Sequence, residues 1–320
     1  MQALGSATLL RNRCRILIEH FKTIEVLFVA GHSGIQCPMQ GATLSYQVFN
    51  DEVKEIAVEY LNQKKYDVIY SSYDFFGSVL SEVKSKKVVE IHDVIHLRQA
   101  SFEHYGYEPP FKCSPEKELI SLSKYDAVIC LNTNEDRYLK SKALKNVHFI
   151  PPNFEASKFN GKRSRSLGLM GSCAKPNIDG FEYYRNGILS ADHLVVAGGL
   201  STLLNTEKCS TSVESIGVVQ NLSDFYEKIG AALVPVRFGG GIKIKAIESL
   251  AHGLPIFSTT HGVEGLPPGV EAISIVSDAI DDWTMANYSN LLDISSATIS
   301  DYFERNFSDQ ACVPLILQAF

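Results

Sequence analysis

Short apolar runs alternate with amphipathic stretches along the whole chain, and this alternation restricts it to a small group of folds. The apolar runs of the first half are residues 25–31, 66–72, 87–93, 125–131 and 146–152. Those of the second half are residues 166–172, 193–199, 214–219, 231–236 and 254–259. Helical patterns separate them, for example at residues 52–63, 74–84, 115–124 and 134–144. Strands that are apolar throughout and separated by helices are typical of parallel sheets covered on both faces, so the sequence predicts an α/β protein.

A polar segment near the middle of the chain divides this alternation into two parts. Residues 154–166, FEASKFNGKRSRS, follow two prolines and carry few apolar side chains. Prolines stop the preceding strand, and a polar stretch of this kind is typical of a linker. We therefore predict two Rossmann-like βαβ domains, residues 1–152 and 153–304. Residues 305–320 are predicted to form a helix that packs back on the first domain.

Composition and charge exclude several classes of protein. The 320 residues carry 30 Lys and Arg against 36 Asp and Glu, a net charge of −6 without a long basic run. This balance excludes a diffuse electrostatic partner such as nucleic acid. No segment approaches the ~18 uninterrupted apolar residues of a membrane-spanning helix. The amphipathic N-terminus has Arg11, Arg13 and Arg15 within its apolar periodicity and does not have the pattern of a signal peptide.

The cysteines indicate a reducing environment. Their number is odd, and no two of them are spaced as Cys-x-x-Cys, which argues against a disulfide framework and a zinc site. We therefore expect a cytoplasmic protein with inert thiols. The seven cysteines are at positions 14, 37, 113, 130, 173, 209 and 312.

The most informative segment is residues 231–266, AALVPVRFGGGIKIKAIESLAHGLPIFSTTHGVEGL. Here a buried strand leads into three glycines, Gly239, Gly240 and Gly241, which we call the glycine corner, and a helix is predicted to begin near Ile242. Glycines let the backbone approach a ligand closely, and the first turn of a helix presents free N–H groups and a partial positive charge. The glycine corner therefore predicts a phosphate or diphosphate site.

Charged side chains in the helix that follows strengthen this prediction. Helix N-termini generally favour acidic residues, yet Lys243 and Lys245 occupy the first turn here. A bound anion relieves that conflict. Glu248 lies only ~40° around the helix from Ile244, at the edge of the buried stripe, where a carboxylate can accept hydrogen bonds from two sugar hydroxyls. The alternative for this residue is a surface ion pair with Lys245.

Other nucleotide-binding patterns are absent from the sequence. Neither G-x-G-x-x-G nor G-x-x-x-x-G-K-[ST] occurs, so dinucleotide-dependent dehydrogenases and P-loop NTPases lose their main support. No Asp-x-Asp follows a strand to hold a divalent ion, and fixed cations with helix N–H groups can stabilise a leaving diphosphate without a metal.

Residues 239–266 resemble the C-terminal half of GT-B-fold glycosyltransferases of family 4, the group 1 branch, which often read Gly-Gly-Gly-Ile-Lys-x-Lys and Glu-Ala-Leu-Ala-x-Gly-Leu-Pro. Three further segments, residues 171–184, 195–199 and 215–236, are similar to family segments in the expected order. The N-terminal half is similar more loosely, at residues 90–98 and 125–139.

The resemblance implies a GT-B fold, in which two Rossmann-like domains face each other across a cleft. It also implies a retaining, metal-independent transfer of a sugar from a nucleotide-diphosphate sugar to a saccharide or lipid-linked acceptor, as in bacterial-type synthesis of polysaccharides or glycoconjugates. No cofactor is expected. The sequence leaves open whether the protein is free in the cytoplasm or rests on the inner face of the membrane, since the loop at residues 96–112 suits either.

Residue by residue, the resemblance assigns the donor site mainly to the second domain. Glu248 matches the second glutamate of the family's Glu–seven residues–Glu motif, which holds the ribose. The first glutamate falls at Gly240, so the usual carboxylate contact to the donor sugar is missing, and the backbone N–H groups of residues 240–242 are expected to replace part of it. Lys243 and Lys245 are expected to neutralise the diphosphate.

Four more positions complete the predicted donor site. Arg237 is a third candidate cation for the diphosphate. Val218 and Val219 belong to the loop expected to face the base, and Gly171 is expected where the two domains meet over the donor.

In the first domain, candidate residues follow two of the predicted strands. His92 and Asp93 match the family's His-Asp, and either would position the donor sugar or the acceptor hydroxyl, with Asp93 as a possible proton acceptor. His96 and Arg98 are expected to meet an anionic acceptor. The alternative for His92 is a ring satisfied by local backbone bonds.

The acceptor pocket is expected to include the residues after the strand at 66–72. Tyr73, Asp74 and Phe75 are the candidates, and the alternative for them is helix capping by Asp74 with aromatic rings in the core. The family also begins with a strand, whereas only residues 1–4 precede Gly5 here, so we expect the first strand to be truncated or missing.

Two other functions stay open at the level of sequence. One is a nucleotide-sugar epimerase of the same architecture, whose usual acidic and histidine site is not visible. The other is a catalytically silent subunit that binds a nucleotide sugar, which the replacement at Gly240 and the missing strand would suit.

Overall fold

The computed structural model of the chain describes residues 5–25, 28–29, 35–36, 51–74, 80–157, 163–203 and 212–320. Several predictions lie outside the described residues. They concern residues 1–4, part of the strand at 25–31, part of the helix at 74–84, and the residues Phe75, Cys37 and Cys209.

The described elements alternate between strands and helices, as the sequence predicts. The strands are β1 Phe28–Val29, β2 Ile35–Gln36, β3 Val68–Ser72, β4 Lys86–Ile91, β5 Ala127–Cys130, β6 Val147–Phe149, β7 Leu167–Met170, β8 His193–Ala197, β9 Ser212–Gly217, β10 Ala231–Val234, β11 Ile256–Ser258 and β12 Ser274–Val276. The α-helices are α1 Gly5–His20, α2 Asp51–Gln63, α3 Ile95–His104, α4 Pro115–Leu122, α5 Thr133–Ser141, α6 Lys175–Tyr183, α7 Arg185–Ile188, α8 Ser223–Tyr226, α9 Ile244–Ala251, α10 Met285–Leu292, α11 Ser296–Asn306 and α12 Asp309–Ala319.

The N-terminal sheet contains four described parallel strands in the order β3-β4-β5-β6. They coincide with the apolar runs at 66–72, 87–93, 125–131 and 146–152. The prediction of a similar strand at 25–31 is wrong for its described part. Val29 pairs antiparallel with Ile35, only a few residues further along the chain, so this segment forms a local two-stranded ladder outside the parallel sheet.

The C-terminal sheet contains six parallel strands in the order β12-β11-β10-β7-β8-β9. Five of them were predicted, and β12 was missed. The strand order reverses between β7 and β10, and open α/β sheets bind ligands at the carboxyl ends of the strands at such a point. The glycine corner follows β10, so the fold places it at this position. The α/β class and the two facing parallel sheets confirm the predicted fold.

Helices from both ends of the chain cover the N-terminal sheet. Ile16 of α1 packs with Val88 and Ile129 of the sheet and with Cys312 and Ile316 of α12. The C-terminal helix thus lies on the first domain. It begins at Asp309, later than predicted, because Ser308 accepts a hydrogen bond from a first-turn backbone N–H and so starts a new helix after α11.

Among the described helices, none has the length and apolar character needed to cross a bilayer. The long amphipathic helix α1 instead presents its apolar side to the N-terminal sheet, where Ile16 and Leu17 are buried.

A buried arginine joins α1 to the sheet and to the linker between the domains. The guanidinium of Arg13 donates to the Glu90 carboxylate on β4 at 2.8 Å and to the Asn153 side chain at 3.1 Å. It also donates to the carbonyl oxygens of Ile150 and Pro151 at 3.0 and 2.9 Å. Both members of the ion pair are almost completely buried, with side-chain exposures of 2% and 1%.

We expect Arg13→Ala to lower the free energy of unfolding by about 3–5 kcal/mol, because it leaves the Glu90 charge buried without its partner. Arg15 is a matched control on the same helix, since its pairs with Glu155 and Asp309 are partly exposed to solvent. Arg15→Ala should cost only about 0.2–1 kcal/mol. Urea denaturation followed by circular dichroism measures both values, and equal losses would contradict the structural role of Arg13.

Candidate functional site

The glycine corner is a backbone turn that requires glycine. Gly239 and Gly241 have φ values of 131° and 65°, in the left-handed region that other residues rarely adopt. Helix α9 begins at Ile244, two residues later than predicted, and Lys243 is its N-cap residue. The Lys243 side chain cannot accept a hydrogen bond, so no side chain caps this helix.

Backbone N–H groups of the glycine corner are available to a ligand. The Gly239 N–H donates to the Ser101 hydroxyl at 2.9 Å and is therefore occupied. The N–H groups of Gly240, Gly241 and Ile242 have no hydrogen-bond acceptor among the residues that the structure describes. Successive free N–H groups in such a turn favour an anion.

Two lysines beside these N–H groups hydrogen-bond only to neutral oxygens. The ammonium group of Lys243 donates to the Gly241 carbonyl oxygen at 2.8 Å, and that of Lys245 donates to the side-chain oxygen of Asn177 at 2.7 Å. Neither lysine forms an ion pair within the described part of the chain. Burial lowers the pKa of each to about 8, and Lys243 contributes to the lowering at Lys245. The two lysines therefore form a cationic site with no direct ion pair, although the more distant carboxylates of Glu264, Glu135 and Asp93 attract Lys243.

Glu248 lies on the next turn of α9 and is 6% exposed. Its carboxylate accepts a hydrogen bond from the Tyr226 hydroxyl at 3.2 Å, and the Tyr226 ring stacks on His252 with the ring centres 4.4 Å apart. Burial raises the pKa of Glu248 to about 7. The described residues contain no ion pair between Glu248 and Lys245, so the surface-pair alternative does not hold.

The other predicted donor residues surround this part of the sheet edge. Gly171 follows β7, and a Cβ added there would lie 3.0 Å from the side chain of Asn177, the partner of Lys245. Val218 follows β9 and is 51% exposed, whereas Val219 packs on the apolar cluster beneath that loop. The structure thus brings the loops after β7 and β10 together at Asn177.

Arg237 has partners away from the two lysines. Its guanidinium lies 3.5 Å from the Asp179 carboxylate, 3.6 Å from the centre of the Tyr183 ring and 5.1 Å from that of Tyr105. The expectation that Arg237 neutralises the diphosphate is therefore corrected, because its charge is already balanced by Asp179 and by two aromatic faces.

The glycine corner packs directly against the N-terminal domain. A Cβ added at Gly240 would lie 2.7 Å from the Cβ of Arg98 and 3.1 Å from that of Asp93. One added at Gly241 would lie 2.4 Å from the carbonyl oxygen of His92. The present domain arrangement therefore leaves no room for a side chain at position 240.

His92 is a neutral, fixed ring. It stacks on Tyr73 with the ring centres 4.0 Å apart, and its Nε2 lies 3.0 Å from the Ser72 hydroxyl. Burial lowers the pKa of His92 to about 4. Tyr73 has a φ of 69°, a strained value for a residue other than glycine, and such strain concentrates at functional sites. The ring is thus held by side chains, not by the local backbone bonds considered as its alternative.

Two buried carboxyl groups meet near the glycine corner. Asp93 accepts a hydrogen bond from Arg98 at 2.6 Å, and Glu135 accepts one from the Val94 N–H at 3.1 Å. The second oxygen of each has no hydrogen-bond partner among the described residues. Burial raises the pKa of both groups, and the neighbouring Asp93 helps to raise that of Glu135 to about 8.

Sequence reasoning missed Glu135. Its only signal is its position near the start of α5, just after β5, at the same carboxyl edge of the sheet as Asp93. The Asn132 side chain, which caps α5, accepts a hydrogen bond from the Glu135 N–H at 2.8 Å. From the sequence alone, Glu135 is therefore interpreted as a solvated acidic residue in the capped first turn of α5.

One predicted acceptor residue has another role. His96 is buried, with Nδ1 2.6 Å from the Glu118 carboxylate and Nε2 2.7 Å from the Tyr138 hydroxyl. Glu118 also accepts the N–H groups at the start of α3, so this cluster fixes that helix and is not free to contact an acceptor. Asp74 is half-buried beside Tyr125, and burial raises its pKa. The expectation of an acceptor contact is therefore corrected for His96, whereas that for Asp74 stays a prediction.

The described residues contain no cluster of three or more His, Cys, Asp or Glu side chains with the geometry of a metal site. A metal-independent reaction stays a prediction.

The raised pKa values of Glu135 and Glu248 make the stability of the protein depend on pH. Below about pH 6.5, the ordinary pKa of histidine, the lowered pKa of His92 has the opposite effect on stability. From there up to the pKa values of about 7 for Glu248 and about 8 for Glu135, the folded state holds protons on these carboxyls that the unfolded state has lost. The free energy of unfolding should therefore fall as the pH rises through this window, by at most about 1.4 kcal/mol per pH unit for each group. Glu135→Gln should remove part of this slope in thermal unfolding experiments, and an unchanged slope would contradict the assignment.

We expect Gly240→Glu to separate the two domains, because its Cβ would collide with the Cβ of Arg98, an atom that no side-chain rotation moves. Small-angle X-ray scattering should show a larger radius of gyration for this variant. Val218→Glu adds the same charge at an exposed position of the same domain and should leave the scattering unchanged. Identical curves for both variants would show that the contact does not hold the domains together.

Comparisons with known proteins agree with this geometry. Residues 165–289 match the family model described as glycosyl transferases group 1. The chain is similar to sucrose-phosphate synthase from Thermosynechococcus elongatus, with a TM-score of 0.70, 16% identity, and 99% of this chain and 92% of that chain covered. It is also similar to HepE from Anabaena, solved in complex with UDP-glucose, with a TM-score of 0.61 and 10% identity over 83% of this chain and 81% of that one.

A third structural relative is TarM from S. aureus, solved in complex with fondaparinux, alpha-GlcNAc-glycerol and UDP. The TM-score is 0.65 at 13% identity, and the match covers 83% of this chain but only 58% of TarM, less than two thirds of its length. No curated protein sequence matches the chain significantly. The fold of the chain is that of the GT-B glycosyltransferases. Within this fold, residues 165–289 match the model of a glycosyl transferases group 1 domain.

Proposed function

We propose that the protein transfers a sugar from a nucleotide-diphosphate sugar to a saccharide or lipid-linked acceptor, without a metal ion and with retention of anomeric configuration. The observation that carries this proposal is the cationic site at the glycine corner. Three successive N–H groups without an acceptor among the described residues, and two lysines without a direct ion pair, lie at the switch point of the sheet. A diphosphate is the ligand that this combination favours.

The same groups suit the chemistry of transfer. When the bond between the sugar and the diphosphate breaks, negative charge builds on the leaving diphosphate. Lys243, Lys245 and the free N–H groups are already in place for that charge, so they would stabilise the transition state without reorganising. This role requires no divalent cation.

Glu248 is the proposed partner of the ribose. It lies about one turn beyond the lysines on α9, and its pKa of about 7 leaves a large ionised fraction at neutral pH. An ionised carboxylate accepts hydrogen bonds from two adjacent hydroxyls. The solved complexes of HepE with UDP-glucose and of TarM with UDP support a nucleotide-sugar donor by analogy.

On the opposite side of the corner, Asp93 is the proposed proton acceptor for the attacking hydroxyl. One of its oxygens is held by Arg98, and the other has no partner among the described residues. Its raised pKa makes it a stronger base than an exposed aspartate. The neutral ring of His92 is proposed to position the donor sugar.

A silent binding subunit is the second candidate, and the close contact at Gly240 favours it. Without a carboxylate at that position the chain lacks the usual contact to the donor sugar, and the domains lie close together there. Incubation with a panel of nucleotide sugars and acceptors distinguishes the two candidates. Transfer supports an enzyme, whereas nucleotide binding without transfer or donor hydrolysis supports a binding subunit.

We expect nucleoside diphosphates to bind at the glycine corner, and isothermal titration with UDP, GDP and ADP tests this. Lys245→Met should weaken binding of the preferred diphosphate and leave binding of the corresponding nucleoside unchanged. Glu248→Ala should weaken binding of both by about 1–3 kcal/mol, since it removes hydrogen bonds to a charged group. Lys228→Met, which alters an exposed ion pair with Glu214, is the control.

Diphosphate binding should also take up protons just above pH 8. The free lysines have pKa values of about 8, and a bound anion raises them, so each lysine gains protonation on binding. Affinity should fall as the pH rises further. Titrations in two buffers with different ionisation enthalpies measure the uptake, and the absence of uptake would contradict the lysine contacts.

A further inference from the structure

A cavity of about 680 Å³ lies at the junction of the two domains. Tyr105 and Asn134 of the N-terminal domain form part of its wall, and the rest comes from the C-terminal end of α6 and from the loops after β10, β11 and β12. We call it the tyrosine cavity. Its volume lies within the range of ~300–1,000 Å³ that is usual for small-molecule sites. The residues used in the argument below are Tyr105, Asn134, Tyr183, Arg237, Thr260 and Asp278.

The tyrosine cavity is close to the glycine corner but chemically different from it. His261 lines the cavity, and its Nε2 lies 3.9 Å from the position that a Cβ would take at Gly239. Neither Lys243 nor Lys245 is part of the cavity wall. Most of the remaining cavity wall follows β11 and β12, on the other side of β10 from the loops with Gly171 and Val218, and Tyr183 and Arg237 complete it. A ligand in the cavity would therefore lie beside a bound diphosphate, not on it.

Two tyrosine rings form the apolar part of the wall. Tyr183 is 45% exposed and Tyr105 is 36% exposed, so both present ring surface to solvent. The Arg237 guanidinium lies 3.6 Å from the centre of the Tyr183 ring and is held at its other end by Asp179. Arg237 covers one face of Tyr183, and Phe238 stacks on Tyr105 with the ring centres 4.9 Å apart. The remaining face of Tyr183 is therefore the flat, rigid surface on which the C–H face of a sugar ring can pack.

Polar groups with fixed orientation form the rest of the wall. The Asp278 carboxylate accepts the Thr260 N–H at 2.9 Å, and the Asn134 amide donates to Glu264 at 3.2 Å. Such carboxylates and amides bond to hydroxyl groups. A pair with His261 lowers the pKa of Glu264 to about 2, so Glu264 is ionised.

The charges of the wall argue against an anionic ligand. Asp278 and Glu264 are acidic, and the cation Arg237 is already paired with Asp179. A second phosphate would meet more negative than positive charge. The wall therefore suits an uncharged ligand that combines hydroxyl groups with an apolar face.

We propose that the tyrosine cavity binds the acceptor as an uncharged saccharide. This inference rests on the proposed glycosyl transfer and names the class of acceptor that it uses. Tyr183 is the platform for the sugar ring, and Asp278 accepts hydrogen bonds from its hydroxyls.

Saturation-transfer difference NMR on the intact protein tests the proposal. The probes are the methyl glycosides of glucose, galactose, mannose and N-acetylglucosamine at millimolar concentration, with glucose 6-phosphate as the charged comparison. At least one neutral glycoside should show saturation transfer from the protein, and glucose 6-phosphate should show none. Tyr183→Ala should weaken the affinity for the bound glycoside about tenfold, which corresponds to the loss of one ring contact. Tyr183→Phe keeps the ring and should retain the affinity.

Asp278→Asn and a parallel titration with nucleoside diphosphates complete the test. Asp278→Asn should also weaken glycoside binding, and both cavity variants should bind diphosphate as the unaltered protein does. Glycoside binding that survives Tyr183→Ala and Asp278→Asn would overturn the proposal, as would a preference for the phosphate. Binding of diphosphate with no glycoside overturns the cavity assignment alone, whereas binding of neither overturns the proposed function as well. Since Tyr183 is largely exposed, unchanged thermal unfolding of its variants should show that folding is intact.

Discussion

The close approach of the glycine corner to the loop after β4 determines the rest of the site. Because Gly240 and Gly241 have no side chains, their backbone contacts Arg98, Asp93 and the His92 carbonyl directly. The carboxyl groups and lysines around this contact are buried. Burial is the largest cause of the shift of their pKa values toward neutrality, and neighbouring charges add to it.

The contact is effective because β4 itself is held in place from behind. Glu90, two residues before His92, forms the buried pair with Arg13, which also binds the linker between the domains. A shift of α1 or of the linker would therefore move β4 and with it the loop that meets the glycine corner. Burial of the Arg13–Glu90 pair costs desolvation energy. Once formed, the pair fixes α1 relative to β4, and it thereby links the N-terminal helix to the position of His92 and Asp93.

The sequence predicted those parts of the protein that depend on local pattern. Alternating apolar runs identified the parallel strands, and the glycines with Lys243 and Lys245 identified the corner, because each signal lies within one strand or one turn. Roles that depend on tertiary partners were missed. His96 looked free for an acceptor, yet Glu118, twenty-two positions further along, binds it, and Glu135 became notable only when folding brought it near Asp93. Spacing along the chain contains no information on such pairings.

Glycine at position 240 changes how charge is distributed across the contact between the two domains. A glutamate there would place a negative charge beside Lys243, whereas glycine leaves Lys243 facing Asp93 and Glu135 across the domain contact. Burial moves the pKa of Lys243 and that of Glu135 to about 8, so near that pH a small change in the field alters the charge of both. An incoming diphosphate would favour protonation of the lysine and of the carboxyl alike. Binding of the anion would thus be accompanied by uptake of protons at Lys243 and Glu135.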